Sequence, residues 1–167
     1  MNLYVTADNN WGIGNNDNLL IQIPRSQKMF LEETKGKVLV MGRKTLATLP
    51  QGMPLAGRTN IILSANSKFQ IKGATVVHSM EELWEELKQY SKEDIYVIGG
   101  ESVFSQLLPY CKVAHVVKLD YEYRANHFFE NLDKSPDWKM VADSDEFTYF
   151  DIPYEFLKYE RITKEEM

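Results

Sequence analysis

Two strand-to-helix junctions in this sequence carry glycine, and both could seat chemistry. The first is Val40-Met41-Gly42-Arg43-Lys44-Thr45. A glycine turn opens a helix there, and Arg43 and Lys44 add two cations to its free backbone N–H groups, which together would hold a phosphate. The same residues also suit a tight turn with two solvated cations. The second is Val97-Ile98-Gly99-Gly100-Glu101-Ser102. Adjacent glycines let a backbone approach a ligand closely or adopt an unusual peptide geometry, and they serve equally well as a packing turn. The dinucleotide fingerprint G-x-G-x-x-G is absent from both junctions. Two other features stand out. Asn9 to Asn18 reads as a long polar, glycine-containing loop, a length that is usually functional or mobile. Arg58, in Gly57-Arg58-Thr59-Asn60, precedes a buried strand and could clamp a carboxylate through two parallel hydrogen bonds.

The elements that would position these residues follow from periodicity. Short continuous apolar runs at Leu3–Ala7, Lys37–Met41, Asn60–Leu63, Ala74–Val77 and Asp94–Ile98 suggest strands covered on both faces. Ser79-Met80-Glu81-Glu82 reads as a capping box, followed by Leu83, Trp84, Leu87 and Tyr90 on one helical face. Pro24 can open a helix at Arg25 or Ser26, with Ser26, Met29, Phe30 and Glu33 sharing a face. Gly42–Leu49 and Ser102–Leu108 read as short helices stopped by Pro50 and Pro109. Lys112–Leu119 reads as a long strand. Trp138–Asp143 and Tyr154–Arg161 alternate apolar and polar residues, which predicts an antiparallel hairpin. The sum is an α/β domain spanning 1–167: a mostly parallel sheet with helices on both faces and antiparallel strands at the end. In such sheets, ligands bind beyond the carboxyl ends of the strands.

Composition excludes several functions. The chain has 167 residues, 44% hydrophobic and 26% charged, with 19 basic against 24 acidic residues. A net charge of −5 argues against an electrostatic nucleic-acid binder. No apolar run approaches the roughly 20 residues of a membrane helix, and no signal peptide is visible, so the expected location is the cytoplasm, without membrane partners. One cysteine permits no intrachain disulfide, and Cys111 suits packing. The three histidines, 78, 115 and 127, are scattered, and no metal site is expected. Lys164–Met167 reads as a frayed terminus.

Taken together and in order, Ile13-Gly14, Ile23-Pro24 with Phe30 beyond it, Met41-Gly42-Arg43-Lys44-Thr45, Gly57-Arg58-Thr59-Asn60, Ile98-Gly99-Gly100 and Leu107-Leu108-Pro109 closely resemble the dihydrofolate reductase family of the bacterial type. The resemblance runs from Leu3 to about Phe129. It implies an eight-stranded, mixed, mostly parallel sheet, a monomer, the cofactor NADPH and a small-molecule substrate, 7,8-dihydrofolate, reduced by hydride transfer to C6 with protonation at N5. It implies that Gly42, Arg43, Lys44 and Thr45 hold cofactor phosphates and that Leu63, Ser64 and His78 line the adenosine end. Gly99 and Gly100 would form a cis pair beside the nicotinamide. Glu101, Ser102, Val103 and Phe104 would follow on the pyrophosphate helix, Ala7, Ile13 and Gly14 would border the nicotinamide, and Asn18, Leu19 and Leu20 would belong to the lid. Phe30, Leu49 and Leu55 would pack the substrate rings, Arg58 would bind the glutamate tail, and Tyr4, Val5 and Ile98 would face the pteridine.

The departures from the family gather where catalysis would occur. The family's pterin-pocket carboxylate, two residues past the helix-opening proline, is here Ser26. A carboxylate there accepts two hydrogen bonds from the pterin and favours protonation of N5, whereas a serine accepts fewer and adds no charge. Leu20-Ile21 replace the family's lid residues, Val117 its carboxylate-supporting threonine, Phe104 its tyrosine and Asn126 its loop acid. The expected catalytic positions are thus Ser26, Ile21, Leu20 and Phe104. Glu33 lies about 10 Å along the helix from Ser26 and is too distant to replace a carboxylate there; Asp8 and Asp17 suit turn chemistry. The sequence therefore predicts a weak dihydrofolate reductase. The alternatives are a reductase of a related heterocycle or a non-catalytic folate- or NADPH-binding homologue.

Overall fold

A computed structural model describes residues 1–16 and 18–163. Asp17 and the 164–167 end, for which the sequence predicted turn chemistry and fraying, lie outside the described residues. The strands are β1 (Asn2–Ala7), β2 (Gly12–Asn15), β3 (Asn18–Leu19), β4 (Val38–Gly42), β5 (Thr59–Leu63), β6 (Thr75–Val77), β7 (Ile95–Gly99), β8 (Val113–Leu119), β9 (His127–Phe128), β10 (Trp138–Asp143), β11 (Phe147–Tyr149) and β12 (Ile152–Arg161). The α-helices are α1 (Pro24–Glu33), α2 (Arg43–Thr48), α3 (Met80–Leu87) and α4 (Glu101–Leu107).

Eight strands form the main sheet in the order β10-β12-β8-β1-β7-β4-β5-β6, with β11 paired to β12 beside them. From β8 to β6 every pairing is parallel; β12 and β10 run antiparallel to their neighbours. The β11–β12 hairpin turns on Phe150 and Asp151, both at positive φ, as a two-residue hairpin turn of the I′ kind requires.

Alternation divides the sheet's side chains between two cores. Leu3, Val5 and Ala7 of β1 pack with Val38, Val40, Ile95 and Val97 on the face covered by Leu83 and Leu87 of α3 and Val103 and Leu107 of α4. Leu39, Met41, Ile62 and Tyr96 face the other way, against Leu46 of α2 and Phe30 of α1. α3 begins as the sequence predicts, its cap Ser79 accepting from the Glu82 N–H at 3.1 Å. The Glu82 carboxylate, however, accepts from the His78 N–H rather than closing back on Ser79. Cys111 is buried, its thiol 3.4 Å from the Leu107 carbonyl; burial pushes it up to about 11, so it packs rather than reacts.

The segment read as a long loop after β1 is partly strand. β2 pairs with β3 and with the distant β9, making a second, three-stranded sheet. Asp8 anchors its root. Fully buried, its carboxylate accepts the N–H groups of Asn10, Gly12 and Tyr123 at 2.9, 2.8 and 2.9 Å. Asn126 holds the other end. Its amide accepts from the Asn16 N–H at 3.0 Å and donates to Asn16 Oδ1 at 2.8 Å.

Candidate functional site

Two cavities open beyond the carboxyl ends of β1, β4 and β7, where parallel sheets hold ligands. The larger, about 800 Å³, runs past the starts of α2 and α4 to β5 and the start of α3. The smaller, about 310 Å³, lies between α1 and the sheet. They share Ile13, Leu19, Thr45, Thr48 and Gly100. At this shared wall the Gly99–Gly100 peptide is cis, and Gly99 sits at φ +121°. A Cβ on Gly99 would lie 3.2 Å from the Phe104 ring and 3.3 Å from Thr45 Oγ1, so a side chain there is strained by the backbone angle and crowds both neighbours.

The larger cavity is lined by cations and polar groups. Arg43 and Lys44 stand in the first turn of α2, whose cap residue Gly42 provides no side-chain bond. The Arg43 guanidinium rests 4.3 Å over the Phe69 ring, a cation–π contact that props it at the rim. Farther along, His78 Nδ1 lies 2.9 Å from the Ser64 carbonyl, which can only accept; Nδ1 therefore carries the proton. Glu101, at the start of α4, accepts from the Phe128 N–H and lies 3.7 Å from His127 Nδ1, tying the small sheet to the cavity's edge.

The smaller cavity has no charged side chain among the described residues that line it. Its walls are apolar, with Leu20, Ile21, Phe30, Leu31, Leu49, Leu55, Ile98 and Phe104, relieved by Thr6, Ser26, Gln22 and Gln27. Ser26 is 8% exposed, and its hydroxyl makes no hydrogen bond to another described residue. Behind this pocket, on the same sheet face, a third hollow of about 260 Å³ does hold charge, with Glu33, His115, Asp143 and Lys158. Tyr4 belongs to both hollows. Its ring meets Phe30 edge-on at 5.3 Å and stacks on His115 at 5.5 Å. Burial and the Glu33 charge push its hydroxyl up to about 12. Glu33 accepts from the Tyr96 hydroxyl at 3.1 Å, so it serves this rear hollow and does not line the pocket.

Most of the residues singled out by sequence therefore come together. Tyr4, Val5, Leu20, Ile21, Ser26, Phe30, Leu49, Leu55 and Ile98 line the smaller cavity. Gly14, Asn18, Gly42, Arg43, Lys44, Leu63, Ser64, His78, Glu101, Ser102 and Val103 line the larger, while Ile13, Thr45 and Gly100 border both. Gly99 and Phe104, expected beside the cofactor, face the smaller cavity.

Three residues lie elsewhere. The Ala7 side chain points into the α3–α4 core, because β1 alternates and Thr6 takes the cavity side. Val117 is packed with Ile23, Leu119 and Tyr154 and borders the rear hollow. Arg58 sits outside both cavity walls. Its guanidinium is held by the Ala56 carbonyl at 2.6 Å, the Leu31 carbonyl and Thr34 Oγ1, leaving one N–H on each terminal nitrogen. Thr6, Leu19, Thr48 and His127 line cavities that sequence reasoning did not give them. For Thr6 the signal was available in the period-2 alternation of β1.

Fold and site together set two cavities edge to edge, one lined by cations and one that no charged side chain lines among the described residues. Comparison with known proteins agrees. The family model described as dihydrofolate reductase matches residues 1–161. The dihydrofolate reductase of Bacillus subtilis (strain 168) is 32% identical over 158 residues, covering 92% of this chain and 90% of that protein. That of Enterococcus faecium is 32% identical over 160 residues, covering 94% of each. A solved structure of dihydrofolate reductase from Enterococcus faecalis, complexed with NADP(H) and RAB-propyl, superposes with a TM-score of 0.80 at 29% identity, covering 96% of this chain and 95% of that one. The chain belongs to the dihydrofolate reductase family, whose members are NADPH-dependent enzymes.

Proposed function

We propose that the protein reduces 7,8-dihydrofolate to tetrahydrofolate, and that it does so weakly because its substrate pocket holds Ser26 in place of a carboxylate. The observation that carries this reading is the contrast at the shared wall: a basic cleft fit for a phosphorylated cofactor abuts a pocket of pterin size that no charged side chain lines among the described residues.

The larger cavity suits NADPH by the chemistry of its donors. Arg43 and Lys44 would hold phosphate groups, with a guanidinium already braced on Phe69. Leu63, Ser64 and His78 would line the adenosine end, and Gly42 lets the start of α2 lie against α4, where a Cβ would crowd Val103 at 3.3 Å. When bound, NADPH supplies the hydride. The chain's own residues bind and orient. Phe30, Leu49 and Leu55 pack the substrate's rings, the Tyr4 and Ile98 carbonyls face the pteridine, and the two remaining Arg58 N–H groups take a tail carboxylate. Ser26 offers a neutral hydroxyl where N5 protonation would profit from a negative charge. General acid–base assistance is worth roughly 10²–10⁴-fold, which sets the scale of the deficit. We assign the protein to the cytoplasm, as one domain working as a monomer; no helix among the described residues is long and apolar enough to cross a membrane.

Following NADPH oxidation with 7,8-dihydrofolate at several pH values tests the reading. Slow turnover that rises in Ser26→Asp supports it. Turnover at the rate of carboxylate-bearing relatives, unchanged by Ser26→Asp, would refute the role given to position 26. The uncharged pocket also favours a second reading, reduction of a related neutral heterocycle. NADPH binding without dihydrofolate turnover, even after Ser26→Asp, would select that one.

A further inference from the structure

The helix α1 is lightly held. It lies over hollows on both sides, its cap residue Ile23 makes no side-chain bond, and Ser26 is its single buried residue. Few contacts therefore fix where it sits on the sheet. One of them is Glu33, the last residue of α1. Its Oε1 accepts from the Tyr96 hydroxyl of β7 at 3.1 Å and lies 3.9 Å from His115 Nε2 of β8, too long for a hydrogen bond. A single carboxylate oxygen thus faces two partners on different strands.

Between those strands runs β1, where Tyr4 pairs in register with His115. The imidazole stacks on Tyr4 at 5.5 Å and on Tyr96 at 6.2 Å. Tyr4 lines the smaller cavity as well as the rear hollow, and its ring meets Phe30 of α1 edge-on. Both the end and the middle of α1 therefore rest on one group of rings.

The two partners of Glu33 differ in how they titrate. Burial and the Glu33 charge push the Tyr96 hydroxyl up, so it stays a donor through the neutral range. His115 faces Tyr4 on β1, Tyr96 on β7, Glu33 on α1, Lys158 in register on β12 and Asp143 on β10. Burial and Lys158 oppose its protonation, and Glu33 favours it. Neutral His115 leaves Glu33 to Tyr96. A protonated Nε2 is a charged donor that competes for the same oxygen.

We propose that Glu33 is a positioning residue for the smaller cavity, switched by the proton on His115: bonded to Tyr96 it keeps α1 in its ligand-ready place, and drawn to a charged His115 it shifts α1 toward β8. A ligand that fills the smaller cavity also dries the far side of the Tyr4 ring, which disfavours the imidazolium stacked behind it. Ligand and proton therefore oppose each other, each weakening the other by the same factor. This rests on the reductase reading for the choice of folate as a probe; the coupling itself is read in the free chain.

Nuclear magnetic resonance of the full chain from about pH 5 to 8 follows the His115 ring and the Ser26 and Arg43 amides. The Ser26 amide, about 10 Å along α1 from Glu33, is expected to shift with the His115 midpoint, while the Arg43 amide does not. Glu33→Gln can still accept from Tyr96 but carries no charge. In that variant His115 is expected to titrate at lower pH, and the Ser26 amide no longer follows it. Folate, titrated by calorimetry, is expected to bind about three- to fivefold more weakly once His115 is protonated, the scale of one partly exposed ion pair. That step is expected to vanish in His115→Gln, which controls for the ligand's own titration. A Ser26 amide that ignores the His115 midpoint overturns the proposal. So does one that still follows it in Glu33→Gln, or folate binding that is unchanged or tighter on protonation. The wild-type titration decides even if a variant fails to fold. Absence of folate binding at every pH refutes the reductase reading, and the free-chain titration then decides the coupling alone.

Discussion

The two cavities share five residues and differ in charge. The larger is lined by Arg43, Lys44, Glu101 and two histidines; the smaller has no charged residue among the described ones that line it. The cleft holds cations that suit a phosphorylated ligand, and the pocket holds no charged side chain, among the described residues, to pair with a protonated one. α2 and α4 contribute to both, but the cations of the cleft stand at the start of α2, whereas of the two cavities α1 and β1 line the pocket alone. Behind Tyr4, Glu33, His115, Asp143 and Lys158 gather in the rear hollow.

The sharpest way to break this contrast is to put charge into the pocket. Ser26→Asp is expected to raise kcat/KM for dihydrofolate about 10²-fold, read in steady-state assays, while KM for NADPH stays within about twofold. Next is the shared wall. Gly99→Ala forces a Cβ against Phe104 and Thr45 at a positive φ and is expected to cost about 1–3 kcal/mol in denaturant unfolding, with loss of both binding functions together. Arg43→Gln probes the cleft alone. It is expected to raise KM for NADPH about tenfold, leave NADH nearly unchanged and leave the Kd for folate within about twofold.

The smallest effect concerns the charge behind the pocket. Burial holds the His115 imidazole below its ordinary range; Lys158 adds to that, and Glu33 opposes it. The unfolded chain therefore takes up this proton first as the pH falls. Stability conferred by neutral His115 is present above about pH 6.5 and drains away on acidification. His115→Gln is expected to flatten that part of a stability-against-pH curve measured by thermal unfolding.

The sequence carried the main sheet because its strands are local apolar runs with turn residues between them, and the burial of β4, from Val38 to Met41, matches such a run. It carried the start of α3 through Ser79, though the Glu82 carboxylate turned to His78. It missed the small sheet. Gly12-Ile13-Gly14-Asn15 has no strand periodicity of its own, and β2 exists because β9, more than a hundred residues away, supplies its partner. Met29, placed by spacing on one face of α1 with Ser26, Phe30 and Glu33, is 40% exposed and borders the rear hollow. At the site, motif residues on glycine turns were legible. Parity in β1 was not used, and a one-residue slip there exchanges Ala7 for Thr6. The fate of Arg58 was hidden because its partners are mostly backbone carbonyls, which leave no trace in side-chain patterns.

The Asn16–Asn126 pair has a consequence for how the small sheet answers its surroundings. Both partners are neutral amides. An acid at position 126 would be ionised or not according to pH, and its hold on Asn16 would change with that state. Two amides do not titrate and attract no counterions, so the contact that ties the tip of β2 to the loop before β9 has the same strength in dilute buffer as in a salt-rich one, and in mild acid as in mild base.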